Sequence, residues 1–250
     1  VVVGRFMSIG YLAIGLIDRG GVAGEVVTVD RDRLRPIEVV AAEVAVWVAG
    51  GSVRLSGTGA GVVLGRRAGG PGPDLDVDAL VLAGRRADVA PAAHEERLAA
   101  LDPDAVAVLA DGAELTHAQL AWGLRSAQQW LREILPEPPA VAAVAADRVD
   151  AAGVLLTRWW PAVEGARTVP VRPGTLPAVV GEVGADVVVV DPAEWHAVAG
   201  RLREVAPDVR FGAATLRAGR TVAAGEPAPV PVTAGANVGR MVVGGRILDA

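Results

Sequence analysis

Between Leu101 and Asp191 the chain alternates short apolar runs with longer stretches of helical spacing. The run at Ala140–Ala145 and the run VVVV at 187–190 are almost wholly Ala and Val, which is how a strand covered on both faces reads. A stretch long enough for a crossover helix separates each strand from the next. That alternation closes only as a mainly parallel sheet flanked by helices. The fold class expected is therefore α/β, with a smaller α/β or β-rich segment ahead of it.

Composition narrows the chemistry. The chain has 250 residues, 52% of them hydrophobic and only 4% aromatic, so its cores must be built from Ala, Val and Leu. All 24 basic residues are Arg. Without Lys there is no Schiff-base nucleophile and no GxxxxGK[ST] phosphate loop. Without Cys there is no thiolate nucleophile, disulfide or Cys-based metal site, which suits a reducing cytoplasm, the expected location. A net charge of -5 gives no reason to invoke nucleic acid. No apolar run is long enough to span a bilayer. The opening VVVGRFMSIGYLAIGLI carries Arg5 and lacks a well-placed cleavage site, so a buried strand and helix is expected there and not a signal peptide.

Residues 1–67 are expected to form an N-terminal α/β segment. Val1–Gly4 reads as a strand, Ile9–Ile17 as a helix stopped by Gly20 and Gly21, and Glu25–Val29 as a strand ending at Asp30. If this βαβ unit held a nucleotide or folate-type cofactor, Gly4, Gly10 and Asp30 would be the contacts. The GxGxxG spacing is missing, and an ordinary βαβ unit with a solvated Asp is the preferred reading. Residues 36–49 read as a helix with Glu38 and Glu43 outward, or as a strand pair. Strands follow at Ser52–Leu55 and at 62–67, and Gly57–Gly61 between them reads as a hairpin turn in preference to a phosphate cradle.

The Gly/Pro-dense AGGPGPDLDVD at 68–78 reads as a linker, placing a domain boundary within 68–90. Leu80–Ala83 is a candidate strand and Ala92–Leu101 a short helix. His94, His117 and His196 sit in dissimilar contexts and read as solvated helix positions, so neither a catalytic group nor a metal ligand is expected.

From residue 91 a specific order of features appears. HEERLAALDPDAVAVLADGAELTHAQL gives a helix, a two-strand hairpin, and Leu115-Thr116-His117-Ala118-Gln119-Leu120, where Thr116 and Gln119 have capping-box spacing. A strand at Ala140–Ala145, a helix at Asp147–Trp160, VEGARTVPVRP at 163–173 and TLPAVVGEVGADVVVVD at 175–191 follow. This order resembles the N-terminal portion of adenylate-forming enzymes, the superfamily of acyl-CoA synthetases and nonribosomal peptide synthetase adenylation domains, over about residues 91–200. The corresponding family motifs are "LTYAEL" and "LKAGAAYVPLDP". The paired Trp159 and Trp160 read as core.

The resemblance implies a 91–205 subdomain followed by a strand and loop segment at 206–250. It also implies ATP and Mg²⁺ in the parent family. The family's phosphate loop, "TSGTTGxPKG", is not found downstream, where Thr233-Ala234-Gly235-Ala236-Asn237-Val238-Gly239 lacks Ser and Lys. Without those groups there is little to stabilise charge on a transferring phosphate. The expected function is thus a truncated or degenerate adenylation-type domain, not catalytic alone, that binds ATP and Mg²⁺ unproductively if at all. Two alternatives stand beside it. One is a docking module for a synthetase or carrier protein, using a Val/Trp patch around Trp159–Val171. The other is a small cofactor-binding enzyme built on Gly4, Gly10 and Asp30.

Overall fold

The structure is a computed structural model. It describes residues 2–3, 7–55, 61–67, 73–87, 96–97, 99–110, 113–134, 141–145, 154–185, 187–190, 198, 200–202, 204–205, 210–213, 241–243 and 246–248. The chain divides into two compact units, Val1–Ala118 and Gln119–Ala250.

In the first unit β1 (Val2–Val3) and β2 (Met7–Ser8) form a two-stranded antiparallel sheet. Helix α1 (Ile9–Gly15) follows and continues as a wider turn, Leu16–Gly20, which stops where Gly21 adopts φ 57° and donates its N–H to Leu16 O. The six-stranded sheet then takes β3 (Val26–Val29), β4 (Ser52–Arg54), β5 (Val62–Gly65), β6 (Leu75–Asp76), β7 (Val106–Ala110) and β8 (Ala113–Thr116) in the order β6-β5-β3-β4-β7-β8. Every pairing is parallel except β7 with β8. Val27, Val29, Val53, Leu64 and Val108 are buried in this sheet.

Several sequence expectations are corrected here. Because β2 pairs with β1 and not beside β3, the strands flanking α1 do not make the parallel βαβ unit a dinucleotide site requires. β4 and β5 flank β3 on opposite sides, each parallel to it, so they are not a hairpin. Residues 36–49 resolve as helix α2 (Pro36–Val48), entered through Pro36 at its first turn. Glu38 and Glu43, expected outward, are both buried.

Leu80–Ala83, read as a strand, lies inside helix α3 (Val77–Arg86). Asp76 caps that helix by accepting the Ala79 N–H at 2.8 Å, and Val77, Leu80, Val81 and Gly84 form its buried stripe. The acids of the apparent linker also stitch it to β5. Asp74 accepts the Val63 N–H and Asp76 the Arg67 N–H, both at 2.8 Å.

The hairpin strand β8 leads into helix α4 (His117–Ile134), which from Gln119 onward belongs to the second unit. A six-stranded sheet follows, with β9 (Val141–Ala145), β10 (Arg167–Val171), β11 (Val187–Val190), β12 (Arg210–Ala213), β13 (Met241–Val243) and β14 (Arg246–Leu248) in the order β10-β9-β11-β12-β13-β14. The first four strands are parallel and the last two antiparallel. A wide turn, Leu155–Trp159, and helix α5 (Trp160–Glu164) join β9 to β10, with Gly165 at φ 73° ending the helix. Helix α6 (Leu176–Val183) joins β10 to β11. Val171, Leu176, Val180, Val188 and Leu202 share a buried core, and Trp159 and Trp160 are buried as expected.

The order β10-β9-β11-β12 repeats the order β4-β3-β5-β6 of the first sheet, strand for strand and in the same parallel sense. Each set is preceded by a two-strand antiparallel hairpin and a helix. The class expected from the sequence, a mainly parallel sheet flanked by helices, is therefore built twice.

Candidate functional site

In the first unit the C-terminal ends of β3, β5 and β6 come together. The chain leaves β3 toward β4 on one side and β5 toward β6 on the other, so the strand order reverses between β3 and β5. Open α/β sheets place their ligands outside the strand ends at such a reversal. Here the first turn of α2 follows β3, Arg66 follows β5, and α3 follows β6. Between them lies a cleft of about 760 Å³ lined by Arg35, Glu38, Arg66, Asp78 and Arg85, with Val81 and Leu82 as an apolar wall.

Glu38 is the anchor. Its side chain is 4% exposed. Oε2 accepts the Arg35 backbone N–H at 2.9 Å, as a residue three into a helix can, and Oε1 accepts from Arg35 Nη2 at 2.8 Å. Arg66 Nη2 donates to the same Oε1 at 3.4 Å, and Arg66 Nε donates to Asp78 Oδ2 at 3.0 Å. Arg66 therefore bridges the first turn of α2 to that of α3. Burial alone would raise the Glu38 carboxyl, but the Arg35 hydrogen bonds and the Arg66 charge outweigh it and hold the group at about 2. Burial would lower the Arg66 guanidinium, yet Asp78 and Glu38 raise it above its ordinary value. Arg85 stands over the Tyr11 ring, 5.6 Å from its centroid. Among the described lining residues three guanidinium groups thus face two carboxylates.

The sequence candidates fare differently. Asp30 ends β3 beside this cleft: its N–H donates to Leu64 O at 2.8 Å, and its Oδ1 accepts the Asp32 N–H at 3.1 Å. Gly65 lies against it, since a Cβ there would meet Asp30 Cβ at 2.8 Å. Gly10 lies in the first turn of α1, and Gly4 lies outside the described residues. His117, expected in solvent, is half-buried edge-on to Trp47 with ring centroids 5.9 Å apart; burial lowers its pKa against the opposing pull of Asp102. His94, His196, most of Gly57–Gly61 and all of Thr233–Gly239 lie outside the described residues. Among the described residues no group of three or more His, Asp or Glu could hold a metal ion, and no helix is long and apolar enough to cross a membrane.

Known structures place this architecture. A benzoate CoA ligase from Burkholderia xenovorans LB400 matches with a TM-score of 0.59 at 17% identity, covering 82% of this chain and 48% of that one. The anthranilate CoA ligase AuaEII in complex with anthranoyl-AMP matches with a TM-score of 0.58 at 11% identity, covering 83% and 48%. The chain has the fold of adenylate-forming ligases. The four-domain nonribosomal peptide synthetase holo-AB3403, bound to AMP and glycine, matches the same fold with a TM-score of 0.52 at 17% identity, covering 82% of this chain and 17% of that one. The likeness takes in more of the chain than 91–200, the span on which the motifs were read. No protein-family model and no curated protein matches the sequence. The chain spans about half or less of each of these adenylate-forming structures.

Proposed function

We propose that this chain is a partial adenylate-forming domain, linked to acyl or amino-acid activation, that acts as scaffold and makes no acyl adenylate by itself. The observation that carries this reading is a fold matched over 82% of the chain to a CoA ligase of which it spans 48%. It is supported by the sequence, which carries the order LTHAQL, VEGARTVPVRP and TLPAVVGEVGADVVVVD without a Ser/Thr/Gly loop followed by Lys. Adenylation needs fixed positive groups and backbone amides on the phosphates as charge moves, and the family's means of supplying them is missing. The natural partner is the remainder of a synthetase, on the same chain or another, and the compartment is the cytoplasm.

Two rival readings have less behind them. A docking module resting on Trp159–Val171 draws less support, since Trp159, Trp160 and Val171 are buried there while Val163 is exposed. A cofactor enzyme on Gly4, Gly10 and Asp30 draws less support, since β2, the strand before α1, pairs with β1 and not with β3.

Pyrophosphate exchange with benzoate, anthranilate and glycine as acceptors tests the proposal. The expected result is no exchange above a protein-free control. Exchange that scales with protein concentration for any of these acids overturns it.

A further inference from the structure

We propose that His117 is a pH-responsive latch on the start of α4, seated on Trp47 when neutral and drawn off toward Asp102 when protonated. The seat is a fixed one. The imidazole stands edge-on to Trp47 of α2, with ring centroids 5.9 Å apart and planes at 88°. Trp47 is buried, and its indole N–H donates to Ala107 O at 2.8 Å. Ala107 is the extra residue of β7, where the pairing shifts between Val106 with Thr116 and Val108 with Leu115.

The start of α4 hangs on the same residue. The first amides of a helix have no carbonyl one turn earlier to bond. Here the His117 N–H donates to Ala105 O at 3.1 Å and the Ala118 N–H to Pro103 O at 2.9 Å. Both carbonyls belong to an exposed turn that Asp102 holds together. Its Oδ1 accepts the Asp104 N–H at 2.9 Å, and its main-chain oxygen accepts the Ala105 N–H at 3.1 Å. His117 thus joins α2, the turn at 102–105 and α4, where the chain passes from the first unit to the second.

The two positions favour opposite charge states. Burial against Trp47 disfavours the imidazolium, whereas Asp102 favours it. The charged groups on the surrounding elements are Asp102 and Asp104 in the turn, Glu114 on β8 and, one turn before Trp47 on α2, the buried Glu43. The first turn of α4 carries no acid, and Asp102 is the charge that acts on His117. Histidine changes charge within the range pH 5 to 8. As pH falls through that range the seat on Trp47 loses to the position beside Asp102, which takes the proton more readily.

NMR of the whole chain between about pH 7.5 and 5.5 tests this. The Trp47 indole N–H resonance should move with the midpoint of the His117 ring protons, and the contact between the two rings should fade below it. Protection of the Ala118 amide, taken as a ratio to that in His117→Phe so that intrinsic exchange cancels, should fall about threefold or more over the same range. Asp102→Asn keeps the Oδ1 acceptor but removes the charge, so it should lower the midpoint and retain the protection that the parent chain loses. If His117→Phe fails to fold, the Trp47 resonance and Asp102→Asn decide. A Trp47 resonance that does not follow His117, a protection ratio constant with pH, or a midpoint unmoved by Asp102→Asn would overturn the latch.

Discussion

Gly84 of α3 sits directly against the main chain of Tyr11 in α1: a Cβ built on Gly84 would fall on the Tyr11 carbonyl oxygen. The reciprocal approach occurs one turn away, where a Cβ on Gly15 would fall on the carbonyl oxygen of Leu80. The two helices therefore meet backbone to backbone, through positions that only glycine can occupy.

Replacing either glycine with alanine sets two effects against each other. In a helix interior Gly→Ala gains about 1 kcal/mol of propensity, while forcing a methyl into a packed interface costs about 1–3 kcal/mol or more. With backbone as the obstacle the second effect wins, so Gly84→Ala and Gly15→Ala should each lose about 1–2 kcal/mol in urea unfolding. Gly181→Ala in α6 is the control, since its Cβ would meet Val205 O at an ordinary 3.6 Å. It should be neutral or slightly stabilising. Equal effects at all three sites would contradict the close approach.

Glu38 should make the fold acid-sensitive. Its carboxyl is held at about 2 against an ordinary value of 4.5, so its contribution is complete above about pH 4.5 and lost as pH falls toward 2. A shift of that size corresponds to about 3 kcal/mol. Glu38→Gln should therefore be destabilised by about 2–3 kcal/mol at pH 7, with the gap to the parent chain closing below about pH 4.5. Denaturant midpoints at pH 7, 4 and 3 measure it, and a gap that persists at pH 3 would show that the carboxylate charge is not the cause.

Asp76 joins two duties, capping α3 through Ala79 and holding the Arg67 N–H. Asp76→Ala should cost about 1–2 kcal/mol, and hydrogen exchange should quicken across 75–82 before the rest of the first unit. Uniform exchange in the variant would mean that residues 74–76 behave as the linker their composition suggests.

His117 should titrate below the ordinary value of 6.5. Because its folded pKa is lowered, the unfolded chain takes up the proton first, so this residue favours folding less as pH drops through about 6.5. Following its ring protons by NMR through that range gives the direction, and Trp47→Leu should move the midpoint back toward 6.5. A midpoint at or above 6.5 in the parent chain would contradict the half-buried placement.

The alternation of apolar runs and helical spacing was enough for the fold class, since Ala140–Ala145 and the Val run at 187–190 are unbroken apolar runs that carry no rival pattern. It failed where apolar residues run together without polar markers. Leu80–Ala83 reads LVLA, and only the Asp76 cap and the 77, 80, 81, 84 burial stripe reveal a helix. β4 and β5 looked like a hairpin because glycines join them, although each pairs with β3, a strand more than twenty residues earlier. The cleft was illegible for the same reason. Arg66, Asp78 and Glu38 come from three separate segments, and Glu38 looked solvated because nothing local announces a partner 28 residues away. Its one available signal was the Arg35-Pro36-x-Glu38 spacing, which marks a helix start.

Direct titration of the chain with Mg²⁺ and ATP tests the central claim, an adenylate-forming scaffold without the grip for triphosphate. The expected result is no saturable heat up to about 1 mM nucleotide, a bound of about -4 kcal/mol on any binding. Micromolar, Mg²⁺-dependent binding of ATP would contradict it.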